Sequence, residues 1–403
     1  MASFHRRSVE EHAARIAELL ADALEPREEL VELDDALGRV TARAVASPVD
    51  LPLFRNSQMD GFAVVAADVA QTPVTLPVAG EVAARAAEPD ALRPGSVVRI
   101  MTGAVVPEGA DAVVPVEDTR VVADGTDDDG SVVIGRPRAA GDYVRERGSD
   151  VRTGDELLPA GTPLGSRHLA VLAAAGIETV SVRGRVRVGV ITTGAELVAP
   201  GADPLPGQVF DSNGTALVAA VRAAGAEVAV RLRVADDHAD FGRALHDATA
   251  AADLVVTSGG ISMGDYEVVR ETLEPLGAHI GSVAMQPGGP QAVATVDGTP
   301  IVCFPGNPVS TQLSFEVFVA PLLRRAAGRP ERVVARRALV ADLTSVPGKR
   351  QFLRGRVDGD RVSLVSGPGS HLVAALAAAD ILVIVPEDVT ALRAGDLVET
   401  WAL

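Results

Sequence analysis

Apolar residues recur at helical spacing from Ser8 to Leu24, at Val9, Ile16, Leu19, Leu20, Ala23 and Leu24. Ser8 and Glu11 form a Ser-x-x-Glu capping box at the start of this run. The spacing predicts an amphipathic helix there and a second short helix over Leu33 to Val40. The pattern then changes. Between residues 74 and 145, short β-rich runs (Val74–Val78, Val97–Met101, Ala112–Val116, Val132–Ile134) are separated by Gly, Pro and Asp, which predicts an all-β insertion. Its Asp124–Gly130 loop reads as a solvated hairpin tip. Residues 151–182 are mixed again. A turn at Gly154–Gly161 precedes a helix near Ser166–Ala175, which is expected to pack back on the N-terminal helices and make that domain discontinuous.

From Val186 the pattern is βαβ. Strands are expected at Val186–Thr192, Glu227–Val234, Leu254–Thr257 and Ile301–Phe304. Helices are expected at Asp211–Ala224 (capped by Asp211 or Ser212), His238–Ala251, near Tyr266–Leu273 and at Val309–Ala327. This order predicts a three-layer αβα sandwich around a mainly parallel sheet. Arg329–Val334 reads as a linker, and residues 336–403 as a small β domain without a long helix. No fixed-period repeat is visible. The fold class is therefore a multidomain α/β chain. Its expected parts are a discontinuous N-terminal domain (1–50 with 146–182), a β-rich insertion (51–145), the αβα domain (183–330) and a C-terminal β domain (335–403).

Composition narrows the function. The 403 residues exceed one small core and suit two to four domains. A net charge of −17 argues against non-specific nucleic-acid binding. It also repels anionic ligands at long range, so an anion site has to be built locally from amides, arginines or a metal ion. The single cysteine, Cys303, rules out a disulfide within the chain. With no apolar leader and no run of about 18 apolar residues, the expectation is a soluble, cytoplasmic protein with no membrane contact. Lys349 is the only lysine, so the other 36 of the 37 basic residues are arginine.

Ligands of open parallel sheets bind at the carboxyl ends of the strands. The loops expected there are Thr193–Glu196, Ala235–Asp237, Ser258–Glu267 and Pro305–Ser310. Three carry carboxylates, and the fourth ends in Ser310 at a helix start. Gly259, Gly260 and Gly306 allow close backbone approach. The helix starts at Asp265/Tyr266 and Pro308/Val309 offer free amides. Such a rim suits a phosphorylated ligand with a divalent cation held by Asp and Glu. A competing motif lies in the same loop: Gly260-Ile261-Ser262-Met263-Gly264 fits the G-x-S-x-G nucleophile elbow, with His279 and His371 downstream. Against it, Gly259 spaces the serine away from the strand end, and no HGGG-type segment lies upstream. There is no P-loop, no complete G-x-G-x-x-G and no zinc pattern.

A wider set of motifs recurs in order along nearly the whole chain. They are Ser57–Val64 (S-x-M-D-G-[YF]-A-V), Met101–Ala104 with Pro107–Asp111, Arg145–Asp150, Thr193–Glu196, Asp236-Asp237, Ser258–Asp265, Pro305–Ser310, Phe352–Arg354 and Gly369–His371. In these the chain resembles the molybdopterin molybdenumtransferases, a family that includes the C-terminal enzyme domain of gephyrin. The resemblance implies that the αβα domain binds molybdopterin. It implies insertion of molybdate into adenylylated molybdopterin with release of AMP, dependent on Mg²⁺. It also implies an elongated homodimer whose active site is shared between subunits.

By motif match, Asp60, Asp150, Glu196 and Asp236 are the catalytic acids, and Asp236, Asp265 and Glu267 serve the cation. Gly259, Gly260, Ser262, Gly306, Asn307 and Ser310 bind substrate, and Pro305 and Pro308 shape the pterin loop. Arg354 and Ser370 line the molybdate pocket. Asp60, Thr102, Arg145 and Asp150 reach the cleft from the partner subunit. A molybdopterin adenylyltransferase and molybdoenzyme acceptors are the implied protein partners.

The chain departs from the family in one segment. Where the family carries lysines around K-P-G-K-P, this chain has Ser282, Gln286 and Gly289 in Ser282–Pro290. Arg270, Arg350 and Arg354 are the candidates to replace the lost cations, and Glu267 stands near the place of a second Asp. The departure keeps open an alternative, a weakened paralogue that binds molybdopterin or its nucleotide as an assembly module.

Overall fold

The run from Val188 to Ile191 is apolar without alternation, the mark of a strand covered on both faces. The computed structural model describes residues 6–122, 130–261 and 267–403 and places this strand, Arg187–Thr193, inside a seven-stranded sheet. Across the sheet the order is Arg6–Arg7, His279–Val283, Pro290–Val296, Thr299–Phe304, Leu254–Ser258, Arg187–Thr193, Glu227–Val234. The last four are mutually parallel, whereas Pro290–Val296 is antiparallel to both its neighbours.

Helices cover both faces. On one, Ile16, Leu20, Leu217 and Phe318 pack with Val188, Val190, Val256 and Phe304 of the sheet. On the other, Phe241, Leu245 and Val269 pack with Ile191, Val255 and Ile301. Each such side chain contributes about 1.5–3 kcal/mol on burial. The helix starts are capped as the sequence indicates. Ser8 and Glu11 close the capping box of Val9–Leu19. Asp211 accepts from the Gly214 amide (2.8 Å), and Asp237 from those of Ala239 and Asp240 (both 2.9 Å). A cap of this kind contributes about 1 kcal/mol.

The same compact unit, residues 6–29 with 181–403, contains the C-terminal β domain. There a six-stranded sheet is closed by the pairing of Arg350–Asp358 with Ile381–Val385. Its first strand, Met285–Gln286, runs parallel to Arg350–Asp358 and comes from the αβα layer. The segment with the lost lysines therefore lies beside the strand that carries Arg354.

Residues 30–180 form the second unit. Its main sheet has six strands in the order Ala112–Pro115, Gly61–Val64, Val97–Ile100, Val74–Val82, Ser131–Ile134, Thr119–Val122. The last two pair as a hairpin; residues 123–129, which make up most of the expected tip, lie outside the described residues. Val45–Ala46 pairs with Glu156–Leu158, so the chain from both sides of the insertion does meet.

Several expectations need correcting. The helix Val9–Leu19 belongs to the αβα core, where Ile16 and Leu20 join Phe318, so it falls in the unit of that core and residues 151–180 in the other. Leu33–Val40 is no helix. Only the 3₁₀ turn Leu33–Asp35 forms, then Gly38 takes a φ of +73°, and Leu37 remains 64% exposed. The helix expected from Tyr266 starts at Val268. The run 308–326 is interrupted by a π-helical stretch, Phe315–Val319, between Pro308–Ser314 and Ala320–Ala326. Two strands, His279–Val283 and Pro290–Val296, are additional to those expected. No helix of the described residues is long and apolar enough to cross a membrane.

Candidate functional site

Four parallel strands in register bring four carboxyl-end loops to one edge of the sheet. Between them lies a cleft of about 350 Å³, lined by Glu196, Asp236, Glu267, Asn213, Thr193 and the glycine loops at 259–260 and 306. Its construction depends on glycine. Gly259 has a φ of +101°, and a Cβ there would fall 2.5 Å from the Thr193 carbonyl oxygen. A Cβ on Gly306 would come to 3.3 Å from the Gly259 Cα, so the two glycine loops touch through backbone alone.

The acids divide their work. Asp237 is spent as a helix cap, and the amides it accepts from, Asp240 first, hold its carboxyl below the usual carboxylate range. Its neighbour Asp236 turns the other way, accepts from the Ala195 amide at 3.1 Å and faces the cleft. Glu196 lies on the same loop as Ala195 and is exposed, while Glu267 is buried at the cleft wall with 8% of its surface accessible. Among the described residues no three acidic, histidine or cysteine side chains form a ready cage for a metal ion. The donor set still fits Mg²⁺, which is typically held by one or two carboxylates and completed by substrate phosphates and water.

Ser262 and Asp265 lie outside the described residues, as do the remaining positions of 262–266. The serine of the G-x-S-x-G match is among them. Pro305, Pro308 and Ser310 are not part of the cleft lining. The Pro305 carbonyl accepts from Thr311 Oγ1 at 2.6 Å, and Pro308 opens the helix that follows Asn307. Ser310 is buried within that helix.

A second feature adjoins the start of that helix. The Val309 amide donates to the Ser370 carbonyl at 3.0 Å, which fixes the loop 366–370 there. Arg354 holds this loop from inside. Its Nη2 donates to Ser366 Oγ (2.9 Å), to the Gly369 carbonyl (3.2 Å) and to the Gly367 carbonyl. The side chain is fully buried, yet Nε and Nη1 have no partner. Burial pushes its pKa down. The other two candidate cations are occupied elsewhere. Arg350 pairs with Glu387 (3.0 Å) and Glu10, and Arg270 lies 3.9 Å from Glu274. At the lost lysine positions, Gln286 accepts from Gln351 Nε2 at 2.6 Å, and Gly289 carries nothing.

In the unit of residues 30–180, the loops at 57–60, 101–104 and 143–145 are tied together by backbone bonds, including Gly103 N–H to Ser57 C=O at 2.9 Å. Asp60 stands exposed on this patch. The Thr102 amide (2.7 Å) and hydroxyl (2.8 Å) both donate to its Oδ1, and together they hold its carboxyl below the usual range. Arg145 donates to Asn56 Oδ1 at 3.4 Å, and Asp150 is anchored through its amide to the Leu51 carbonyl at 2.9 Å. The structure thus joins Asp60 to Thr102 and sets Arg145 on a neighbouring loop.

Two polar cleft residues have no role of their own in the sequence reading. Thr193 enters it only as the first residue of a carboxyl-end loop and its motif. Asn213 was seen only as the body of a helix, although it shares the buried stripe of Leu217 and Val221 at i, i+4 spacing. A polar amide on an apolar stripe was the available signal.

The chain matches three family models in succession: the MoeA N-terminal region (domain I and II) over residues 7–176, a probable molybdopterin binding domain over 189–325, and the MoeA C-terminal region (domain IV) over 336–403. It is 43% identical to molybdopterin molybdenumtransferase 2 of Mycobacterium tuberculosis, over 98% of this chain and 100% of that protein. It is 37% identical to molybdopterin molybdenumtransferase 1 of the same organism, over 98% of each. The crystal structure of the molybdopterin biosynthesis MoeA protein from Pyrococcus horikosii superposes with a TM-score of 0.80 at 32% identity, covering 99% of both chains.

Proposed function

The chain belongs to the molybdopterin molybdenumtransferase family and inserts molybdenum into molybdopterin; from that premise we propose that its substrates are molybdate and adenylylated molybdopterin, and that AMP is released. The observation that carries this reading is the placing of Glu196, Asp236 and Glu267 around one cleft at the strand ends. A negatively charged wall attracts a phosphorylated ligand only if a cation comes with it. Mg²⁺ would supply that charge when bound, and Asp236 and Glu267, with Asp265 two residues before Glu267 in sequence, would hold it. The backbone at Gly259, Gly260 and Gly306, with no side chain in the way, allows the close approach of the phosphates.

Arg354 and Ser370 form the molybdate end. A buried guanidinium whose Nε and Nη1 have no partner among the described residues is a donor set for a tetrahedral oxyanion, and preorganised donors of this kind favour charge that develops during exchange. With Gln286 and Gly289 in place of lysine, Arg354 carries this task with less help. The weakened-paralogue reading finds no specific support in the cleft, where Glu196 and Asp236 are both present.

Asp60, Thr102, Arg145 and Asp150 complete the cleft of the other subunit in a homodimer. The Asp60 carboxylate, kept ionised by Thr102, is the group presented there. A molybdopterin adenylyltransferase that delivers the substrate and molybdoenzymes that accept the product are the expected partners. The cytoplasm is the expected compartment, in keeping with the single cysteine.

The direct test is AMP release and cofactor formation by the purified protein with adenylylated molybdopterin, Mg²⁺ and titrated molybdate. Saturable turnover is expected. Tight nucleotide binding without AMP release would overturn the reading in favour of an assembly module. The same assay measures the lost lysines. A Cβ on Gly289 meets nothing closer than 3.6 Å, so a side chain fits there. Gly289→Lys is expected to lower the half-saturating molybdate concentration about tenfold, the effect of one charge-assisted hydrogen bond. An unchanged value would mean that molybdate binds away from this segment.

A further inference from the structure

Asn213 is 8% exposed and sits in the first turn of the helix Ser212–Ala223. Its Nδ2 donates to the Gly306 carbonyl at 2.7 Å and to Ser258 Oγ at 2.9 Å. A carbonyl oxygen can only accept, so the Gly306 contact settles which end of the amide is nitrogen. The other end, Oδ1, is therefore a pure acceptor. It is buried and has no partner among the described residues. Thr193, 5% exposed, repeats the situation on the opposite loop, where its buried Oγ1 also lacks a partner. Both residues line the cleft. Leaving such an atom unsatisfied costs about 1–3 kcal/mol, and two in one cleft mark a surface completed by something else.

We propose that Asn213 Oδ1, together with Thr193 Oγ1 of the same cleft, is the polar reader of the substrate's heterocycle, accepting an N–H from the edge of the pterin ring. The inference rests on the functional reading above and deepens it. Two considerations select the ligand group. A neutral amide oxygen competes poorly for a divalent cation against three nearby carboxylates, so an N–H donor is its natural partner. The Gly306 carbonyl that orients Asn213 begins the segment leading through Val309 to Ser370 and the Arg354 loop. Molybdenum is inserted at the pterin end of the substrate, so the ring on this side is the pterin and not the adenine. Asn213 then couples recognition to loop geometry, since the amide that reads the ring also clamps the two glycine loops together.

The test measures binding of molybdopterin and of AMP separately by calorimetry, for the wild-type protein and for Asn213→Ala, Thr193→Val and Ser258→Ala. The first two are expected to weaken molybdopterin binding about tenfold while AMP affinity stays within about twofold, as for loss of a buried hydrogen bond. Thr193→Val is nearly isosteric and keeps the loop filled. Ser258→Ala removes one clamp bond but leaves Oδ1 in place, and is expected to change neither affinity by more than about twofold. Equal weakening of both ligands in Asn213→Ala and Ser258→Ala would reduce Asn213 to a loop support and overturn the proposal. Unchanged molybdopterin binding in Asn213→Ala and Thr193→Val would do so as well. A wild-type protein that binds neither ligand would instead remove the functional reading itself.

Discussion

Asp236→Ala is expected to cut molybdenum insertion by about 10²–10³-fold while leaving the fold and its melting temperature nearly unchanged. The argument is one of geometry and exposure. Asp236 is exposed and accepts from the Ala195 amide at 3.1 Å. Water can replace that bond, so little stability is at stake. What is lost is a carboxylate of the cleft, one of the two proposed to hold the cation. The neighbouring residue supplies the control. Asp237→Ala removes the cap of the helix His238–Ala251 and is expected to cost about 1 kcal/mol of stability, with turnover largely retained. Turnover and thermal melts on the two variants separate the roles. Full activity in Asp236→Ala would remove the cation assignment.

This contrast also shows how far the sequence could be read. Asp-Asp before a helix announces a cap, but it does not say which carboxylate caps and which is left over. That depends on where the loop 193–196 lies, and the loop comes from a strand some forty residues earlier. Helices with polar caps and one apolar stripe (Val9–Leu19, Ser212–Ala223, His238–Ala251) were legible because their signals are local. So were the buried strands, as short apolar runs between turn residues. Leu33–Val40 misled because its spacing is helical while Gly38, at φ +73°, turns the chain away. The strands His279–Val283 and Pro290–Val296 were missed because the glycines between them read only as a family motif. Arg354 was chosen by resemblance. Its Nη2 bonds reach a loop 12 to 15 residues further on, and no local pattern encodes that placement.

Asp60→Ala carries the other large effect, and its partner experiment tests the shared site. Alone, the variant is expected to be as inactive as Asp236→Ala, because Thr102 donates through both its amide and its hydroxyl to Asp60 Oδ1 and so presents a fixed, ionised carboxylate. The substitution is at an exposed position, and the patch stays laced by backbone bonds such as Gly103 N–H to Ser57 C=O at 2.9 Å, so the fold is expected to survive. Mixing the two inactive proteins under conditions that exchange subunits then gives opposite results for opposite architectures. If Asp60 serves the cleft of the partner subunit, each mixed dimer carries one cleft with both mutations and one with neither. Random exchange makes about half the dimers mixed, so about a quarter of wild-type activity should return. If Asp60 serves the cleft of its own chain, every cleft in the mixture keeps one lesion and no activity returns. Recovery near a quarter would place the Thr102–Asp60 pair across a subunit boundary. A mixture as inactive as its components, with subunit exchange verified by mass, would remove the shared site and require Asp60 to act within its own subunit.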